Sequence, residues 1–162
     1  MKKIIFLIIL GISVKCYSQV QNLSGPRIGF TLLMDGETTD YVTGIDGSPS
    51  TFISQYGWQY ESRFASGENI TGLVEWVLLV GAMERGKFLP SISSLVGFRN
   101  SEGIEMGFGP NLSLGGIGVV FGFGMTMTSG KLNIPINFVY SPQKENSGSS
   151  FNVLLGFNMS KN

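Results

Sequence analysis

The sequence predicts an all-β protein, an eight-stranded antiparallel up-and-down transmembrane β-barrel after an N-terminal signal peptide. Three observations lead there. From Arg27 onward apolar side chains recur with period two, and no long segment carries helical periodicity. Clusters of Gly, Ser, Asn, Asp and Pro interrupt the alternation at fairly regular intervals. In the later strands one face is bulky and apolar while the other is nearly bare, and 23 Gly in 162 residues supply much of the bare face.

Element by element, the chain opens with an export signal. Lys2 and Lys3, the apolar run Ile4 to Ile12, and Cys16-Tyr17-Ser18 before Gln19 follow the charged, apolar and small-residue order of a secretory signal, with cleavage expected after Ser18. The run is shorter than the ~20 apolar residues of a helical anchor. Lys15 stands where a lipoprotein signal carries a small residue, which argues against lipidation of Cys16. The expected domains are thus 1–18, signal peptide, and 19–162, one barrel. Cleavage removes three lysines and the only Cys, so eleven Lys plus Arg against eleven Asp plus Glu become eight against eleven. A disulfide-free exported domain has to be held by its core or by closure of its sheet. A charged fraction of 14% gives no basic footprint for nucleic acid.

Strands are expected at 26–34, 51–64, 72–84, 87–99, 103–112, 116–128, 131–141 and 150–160. Most connections carry Gly where a hairpin needs positive φ, as in Arg85-Gly86 and Ser129-Gly130. Strand six places Ile117, Val119, Phe121, Phe123, Met125 and Met127 on one face against Gly116, Gly118, Val120, Gly122, Gly124, Thr126 and Thr128. Strands five, seven and eight repeat this contrast. A soluble barrel would bury the bulky face and show water a face rich in Lys, Glu, Arg and Thr. Here the second face is Gly, Asn and Thr, which suits a narrow crowded lumen with the bulky face in lipid. A soluble exported β-barrel that binds a hydrophobic ligand remains the alternative.

The strand-embedded charges are Arg27, Glu61, Arg63, Glu75, Arg99 and Glu105, and the alternation turns all six to the lumen. Symmetric hairpins put Glu61 opposite Glu75, and Gly97 opposite both Glu75 and Glu105, with Arg63 and Arg99 on diagonals. The six form one expected layer at the periplasmic end of the lumen. It reads either as a salt-bridged core that fixes register or as the gate of a narrow pore for ions or small solutes. A hydrolase built on Glu61 and Glu75 fits poorly, because arginine neighbours hold both carboxylates ionised.

Phe52, Phe88, Tyr140 and Phe151 gather toward one end of the outward face, and Tyr60, Phe64, Trp76 and Phe98 toward the other, as interfacial girdles do. The acidic first loop, with Asp35, Glu37, Asp40 and Asp46, lacks the spacing of a Ca²⁺ loop and reads as solvated. Pro142–Ser149 reads as another exposed loop. Without His or mature Cys, Ser-His and Cys-His chemistry and His-ligated metals are excluded, and no catalytic residue, metal or cofactor is expected.

The signal, the eight alternating segments, the charge layer and the last strand Phe151-Asn152-Val153-Leu154-Leu155-Gly156-Phe157-Asn158-Met159 resemble the small eight-stranded outer-membrane barrels, the family of the transmembrane part of outer-membrane protein A and its single-domain relatives. The resemblance covers about 26–160 and is one of pattern. It implies a non-enzymatic protein of the outer membrane of a Gram-negative-type cell, structural or surface-interacting, with membrane lipids and the barrel-insertion machinery as partners. A periplasmic or secreted location goes with the soluble alternative. Family members commonly end in an aromatic residue, whereas this chain ends Met159-Ser160-Lys161-Asn162.

Overall fold

The computed structural model describes residues 22–145 and 147–159. The expected signal peptide and the chain end from Ser160 lie outside them. The strands are β1 (Gly25–Met34), β2 (Ser50–Ser66), β3 (Ile70–Gly81), β4 (Leu89–Asn100), β5 (Ile104–Ser113), β6 (Gly116–Ser129), β7 (Leu132–Ser141) and β8 (Ser150–Gly156), with a two-residue continuation, β9 (Asn158–Met159), beyond Phe157. Each strand pairs antiparallel with its sequence neighbour, and β1 pairs with β8, as in Arg27↔Gly156 and Phe30↔Val153. The sheet therefore closes into an up-and-down barrel without a free edge among β1 to β8.

Alternation decides what faces inward. Phe30, Phe52, Trp58, Phe108, Ile117, Phe121 and Phe151 stand exposed on the outside. Thr31, Gln55, Gln59, Asn111 and all the strand charges turn to the lumen. The bulky faces thus point outward on every strand, the reverse of a soluble barrel's arrangement. The outer aromatics pair as well: Tyr140 stacks on Phe151 at 4.8 Å between ring centres, and Tyr60 stands opposite Trp76.

Three segments depart from the sequence reading. The first loop contains a short helix, α1 (Glu37–Thr43), ended by Gly44 at φ 71. Seven residues with three threonines and a valine make a poor isolated helix, so docking holds it: Thr38, Thr39 and Val42 are buried over the barrel mouth. The β3–β4 connection is longer than the expected Arg85-Gly86 turn. β3 ends at Gly81, Ala82 takes φ 62, and a 3₁₀ turn spans Met83–Arg85. Glu84 holds that turn by accepting a hydrogen bond from the Ser54 amide at 2.9 Å and another from its hydroxyl. The β4–β5 turn centres on Glu102, with Gly103 at φ 85 and the Asn100 carboxamide accepting from the amides of Glu102 and Ile104. These two turns shift the expected register. Gly97 pairs with Leu73 and Gly107, not with the two glutamates, and Arg99 itself stands opposite Glu105.

Two apolar layers narrow the lumen. Val77, Leu79, Leu95, Val120 and Leu154 form the middle one, against which Val139 packs. Leu33, Val42, Ile53, Ala82 and Leu89 form the other, beneath α1.

Candidate functional site

Below the middle apolar layer, toward the end where the described chain starts and finishes, lie the six strand charges. β1 contributes Arg27, β2 Glu61 and Arg63, β3 Glu75, β4 Arg99 and β5 Glu105. Glu61 faces Glu75 across the β2–β3 pair, as symmetric pairing predicts. Arg99 is the centre of the group. Its Nη2 lies 2.6 Å from Glu61 Oε2 and 3.7 Å from Glu75 Oε1, and it bonds Glu105 Oε2, which also accepts from Arg99 Nε at 2.8 Å. A guanidinium with donors fanned in one plane suits this shared role better than an ammonium would.

The other two arginines behave differently. Arg27, 2% exposed, donates to Gln59 Oε1 at 2.9 Å and to the carbonyls of Pro26 and Leu23, and forms no ion pair with a carboxylate among the described residues. Arg63 lies at the rim, 27% exposed, with Nε 3.6 Å from Glu61 Oε1. A register shift between Arg63 and Ala65 distorts the strand end there. Five of the six residues are therefore buried together, and Arg63 only borders them.

Bare lumen positions make room for the group. A methyl at Gly156 would run into the Arg27 guanidinium, and one at Gly124 would come within 2.6 Å of Asn137 Nδ2 and 3.2 Å of Glu105 Oε1. Sequence reasoning missed the two neutral partners. Gln59 Nε2 donates to Glu75 Oε1, and Asn137 Nδ2 donates to Glu105 Oε1 at 3.1 Å. Both occupy lumen-facing positions, and that alternation was the only available signal. It also missed a seal formed by 22–24. Leu23, 1% exposed, directs its amide to Glu61 Oε2 at 3.3 Å, while Ser24 Oγ accepts from the Glu61 amide at 2.9 Å.

At the α1 end Lys144, Ser147 and Gly148 of the last loop turn inward, while Gln143 and Glu145 stand in solvent as expected. Lys144 lies across Gly118, where a methyl would meet its stem at 2.8 Å, and its Nζ donates to Asn111 Oδ1 and, at 3.0 Å, to Ser113 Oγ. Burial pushes the Lys144 ammonium below its ordinary value. Gly148 packs against the backbone of Asp35, and Met34 donates its amide to Ser149 O at 2.9 Å. A cavity of about 100 Å³ runs between the two ends, lined by Glu75 and Glu105 at one limit and by Lys144 and Ser147 at the other.

Among the described residues, Glu61, Glu75 and Glu105 are the one set of three acidic groups whose ligand atoms converge, within 4.8 Å of one another. The acidic residues of the first loop do not converge; Asp40 accepts from the Ser48 amide at 3.0 Å and so closes its own loop.

No family model and no curated protein matches the chain. Among solved structures it is similar to Ail, the attachment invasion locus protein of Yersinia pestis, at 17% identity over 86% of this chain and 99% of that one, with a TM-score of 0.30. A structure of Ail in complex with the heparin analogue sucrose octasulfate gives 16% identity over 84% and 96%, with a TM-score of 0.29. Likeness at that level decides neither fold nor function; the closed barrel rests on the strand pairing of the chain itself.

Proposed function

We propose that the chain is a non-enzymatic outer-membrane β-barrel with a packed, salt-bridged lumen and a structural or surface-interacting role. One observation carries the reading: no outward position of β1 to β8 holds Asp, Glu, Lys or Arg, while every charge within those strands turns inward. Water would leave this apolar wall exposed on all sides, far beyond the few hundred Å² that soluble monomers tolerate. Lipid removes that penalty, and a charged lipid-facing residue at mid-bilayer would cost about 2–4 kcal/mol.

The lumen supports a closed barrel better than a conducting one. Two apolar layers and α1 lie across the path an ion would follow, and Arg99 holds the carboxylates of a would-be gate in fixed pairs. The same pairs disfavour catalysis, because Glu61 and Glu75 are buried and ion-paired instead of facing a cleft. Expression in a Gram-negative host followed by fractionation tests the placement. Recovery in the outer-membrane fraction with heat-modifiable migration is expected; a detergent-free soluble monomer overturns it. In planar bilayers the refolded barrel should give no discrete conductance steps.

A further inference from the structure

The six strand charges balance one another. Arg27, Arg63 and Arg99 answer Glu61, Glu75 and Glu105, with Arg63 paired to Glu61 and Arg99 to all three acids. The uncompensated charge of the lumen lies at the α1 end. Lys144 is the one cation lining the cavity, and it forms no ion pair among the described residues. Neutral acceptors alone hold it, Asn111 Oδ1 and, at 3.0 Å, Ser113 Oγ. An ammonium carries three donors, so one is left unspent. A charge drawn partly out of water calls for a counter-charge.

A second group at the same height also calls for a partner. Gln55, 7% exposed, lines the cavity, and its carboxamide forms no hydrogen bond among the described residues. Leaving such a group unpaired is costly. With neither end bonded, rotation about its last side-chain bond presents either the oxygen or the NH₂ group to an occupant. Strand pairing fixes its height. Followed through β4 and β3, Asn111 leads by Ser93 and Val77 to Gln59 on β2. Followed the other way, through β6, β7, β8 and β1, it leads to the α1 end of β2. Strands of a closed barrel are tilted, so the level of Asn111 falls on β2 between these limits, near Gln55. Ser93 belongs to the same level: its Oγ accepts from Asn111 Nδ2 at 2.9 Å, and its own proton is left to donate. One positive charge among neutral hydroxyls and amides matches one negative charge, whereas a doubly charged anion would overshoot. At about 100 Å³ the cavity is smaller than the ~150 Å³ that accepts a benzene ring, so it suits a small inorganic ion and not an organic acid of ordinary size.

We propose that the α1 end of the lumen binds a small monovalent anion, a halide or nitrate, between Lys144 Nζ, Gln55 Nε2 and Ser93 Oγ. Lys144 supplies the charge, and the other two supply neutral donors from across the lumen and from beside Asn111. Glu75 and Glu105 line the opposite limit of the cavity, where Arg99 holds both. Six residues of β5 separate Glu105 from Asn111, roughly 20 Å along the strand, so the carboxylates stand well away from the anion. The inference needs only the closed lumen and stands apart from where the barrel resides.

The test titrates the refolded full-length mature barrel in detergent from sodium gluconate into sodium bromide at constant ionic strength, with Lys144→Met and Gln55→Met alongside. General salt effects act on all three proteins, so the reading is the thermal midpoint of each relative to Lys144→Met. The wild-type difference should grow saturably as bromide replaces gluconate, and sodium nitrate should act alike. Gln55→Met should weaken the apparent affinity by roughly tenfold, the loss of one charge-assisted contact. Crystals grown in bromide should give an anomalous scattering peak beside Lys144 Nζ and Gln55. Gluconate is too large for the cavity, so in that salt burial alone governs the Lys144 ammonium. A difference that stays flat through the titration overturns the site and leaves a hydrated lumen, and a bromide peak without a saturable difference marks an adventitious ion only. A saturable response that Gln55→Met leaves unchanged overturns the assignment to this level of the lumen. If Lys144→Met does not refold, Lys144→Gln serves as the reference and the bromide peak is read in the wild type.

Discussion

The two ends of the lumen are closed by opposite means. At the end of the chain termini the filling is ionic: Arg99 binds three carboxylates and the backbone of 22–24 seals them from below. At the α1 end the filling is apolar, with Val42 of the helix set on Leu33, Ile53, Ala82 and Leu89. The ionic end depends on direction and distance, so it specifies which residues of neighbouring strands stand opposite one another. The apolar end depends on volume and tolerates changes that preserve it. A one-residue slip of β4 against β5 would turn Arg99 out of the lumen, and that penalty is what the ionic layer adds to register. Each of the following changes asks whether the two ends behave as differently as their chemistry implies.

Arg99→Met should have the largest effect. It leaves three buried carboxylates without their shared partner, and breaking a buried ion pair from one side costs about 3–5 kcal/mol. Urea unfolding from lipid vesicles reads it. Neutralising the acids in the same chain, with Glu61→Gln and Glu105→Gln, should recover much of the loss, because the penalty lies in the uncompensated charges. No recovery would mean that Arg99 acts through packing, and the contrast between the two ends would fail.

Leu33→Ala, in the layer beneath α1, removes an apolar side chain that is 7% exposed and should cost about 2–4 kcal/mol. Leu33→Met should recover nearly all of it, since volume is what this layer requires. The corresponding conservative exchange at the ionic end, Arg99→Lys, should remain destabilising, because one ammonium cannot meet three carboxylates arranged around a planar fork. Equal tolerance at both positions would erase the distinction.

Gly156→Ala comes next. Its new methyl meets the Arg27 guanidinium, and overpacking of this kind costs about 1–3 kcal/mol. Gly118→Ala at the other end should cost less, since its methyl meets only the flexible stem of Lys144. The comparison is read from unfolding midpoints of the two variants measured side by side.

Most of this architecture is legible in the sequence. Period-two alternation assigned Ile117 to Met127 to the outside and Arg27, Glu61, Glu75, Arg99 and Glu105 to the inside, because a side chain's face in a strand follows from its parity alone. Register was less legible. Parity is blind to a shift of two residues, and such shifts are set by Ala82 and Gly103, whose turn conformations place Gly97 opposite Leu73 and Gly107. The helix α1 left almost no trace, since Thr38, Thr39 and Thr43 carry no helical preference and docking supplies its stability. Lys144 was hidden for a related reason. A lysine within Pro142–Ser149 looks like solvent-facing polarity, and Gly118, which receives it, is one bare position among many.

The smallest expected effect concerns that lysine and is read through pH. Burial depresses the Lys144 ammonium below its ordinary value of 10.5, so the charged form is disfavoured in the folded barrel relative to the unfolded chain. The penalty is fully present below the depressed value and fades as pH rises from there toward 10.5, where both states become neutral. Wild-type stability relative to Lys144→Met should therefore increase with pH across that window, by an amount reduced because the amine is only partly shielded from solvent. Thermal midpoints of the two proteins compared between neutral and mildly alkaline pH measure it. A gap that narrows in the opposite sense, with wild type losing ground as pH rises, would mean that the ammonium has an anionic partner when charged. The α1 end would then be ionic as well.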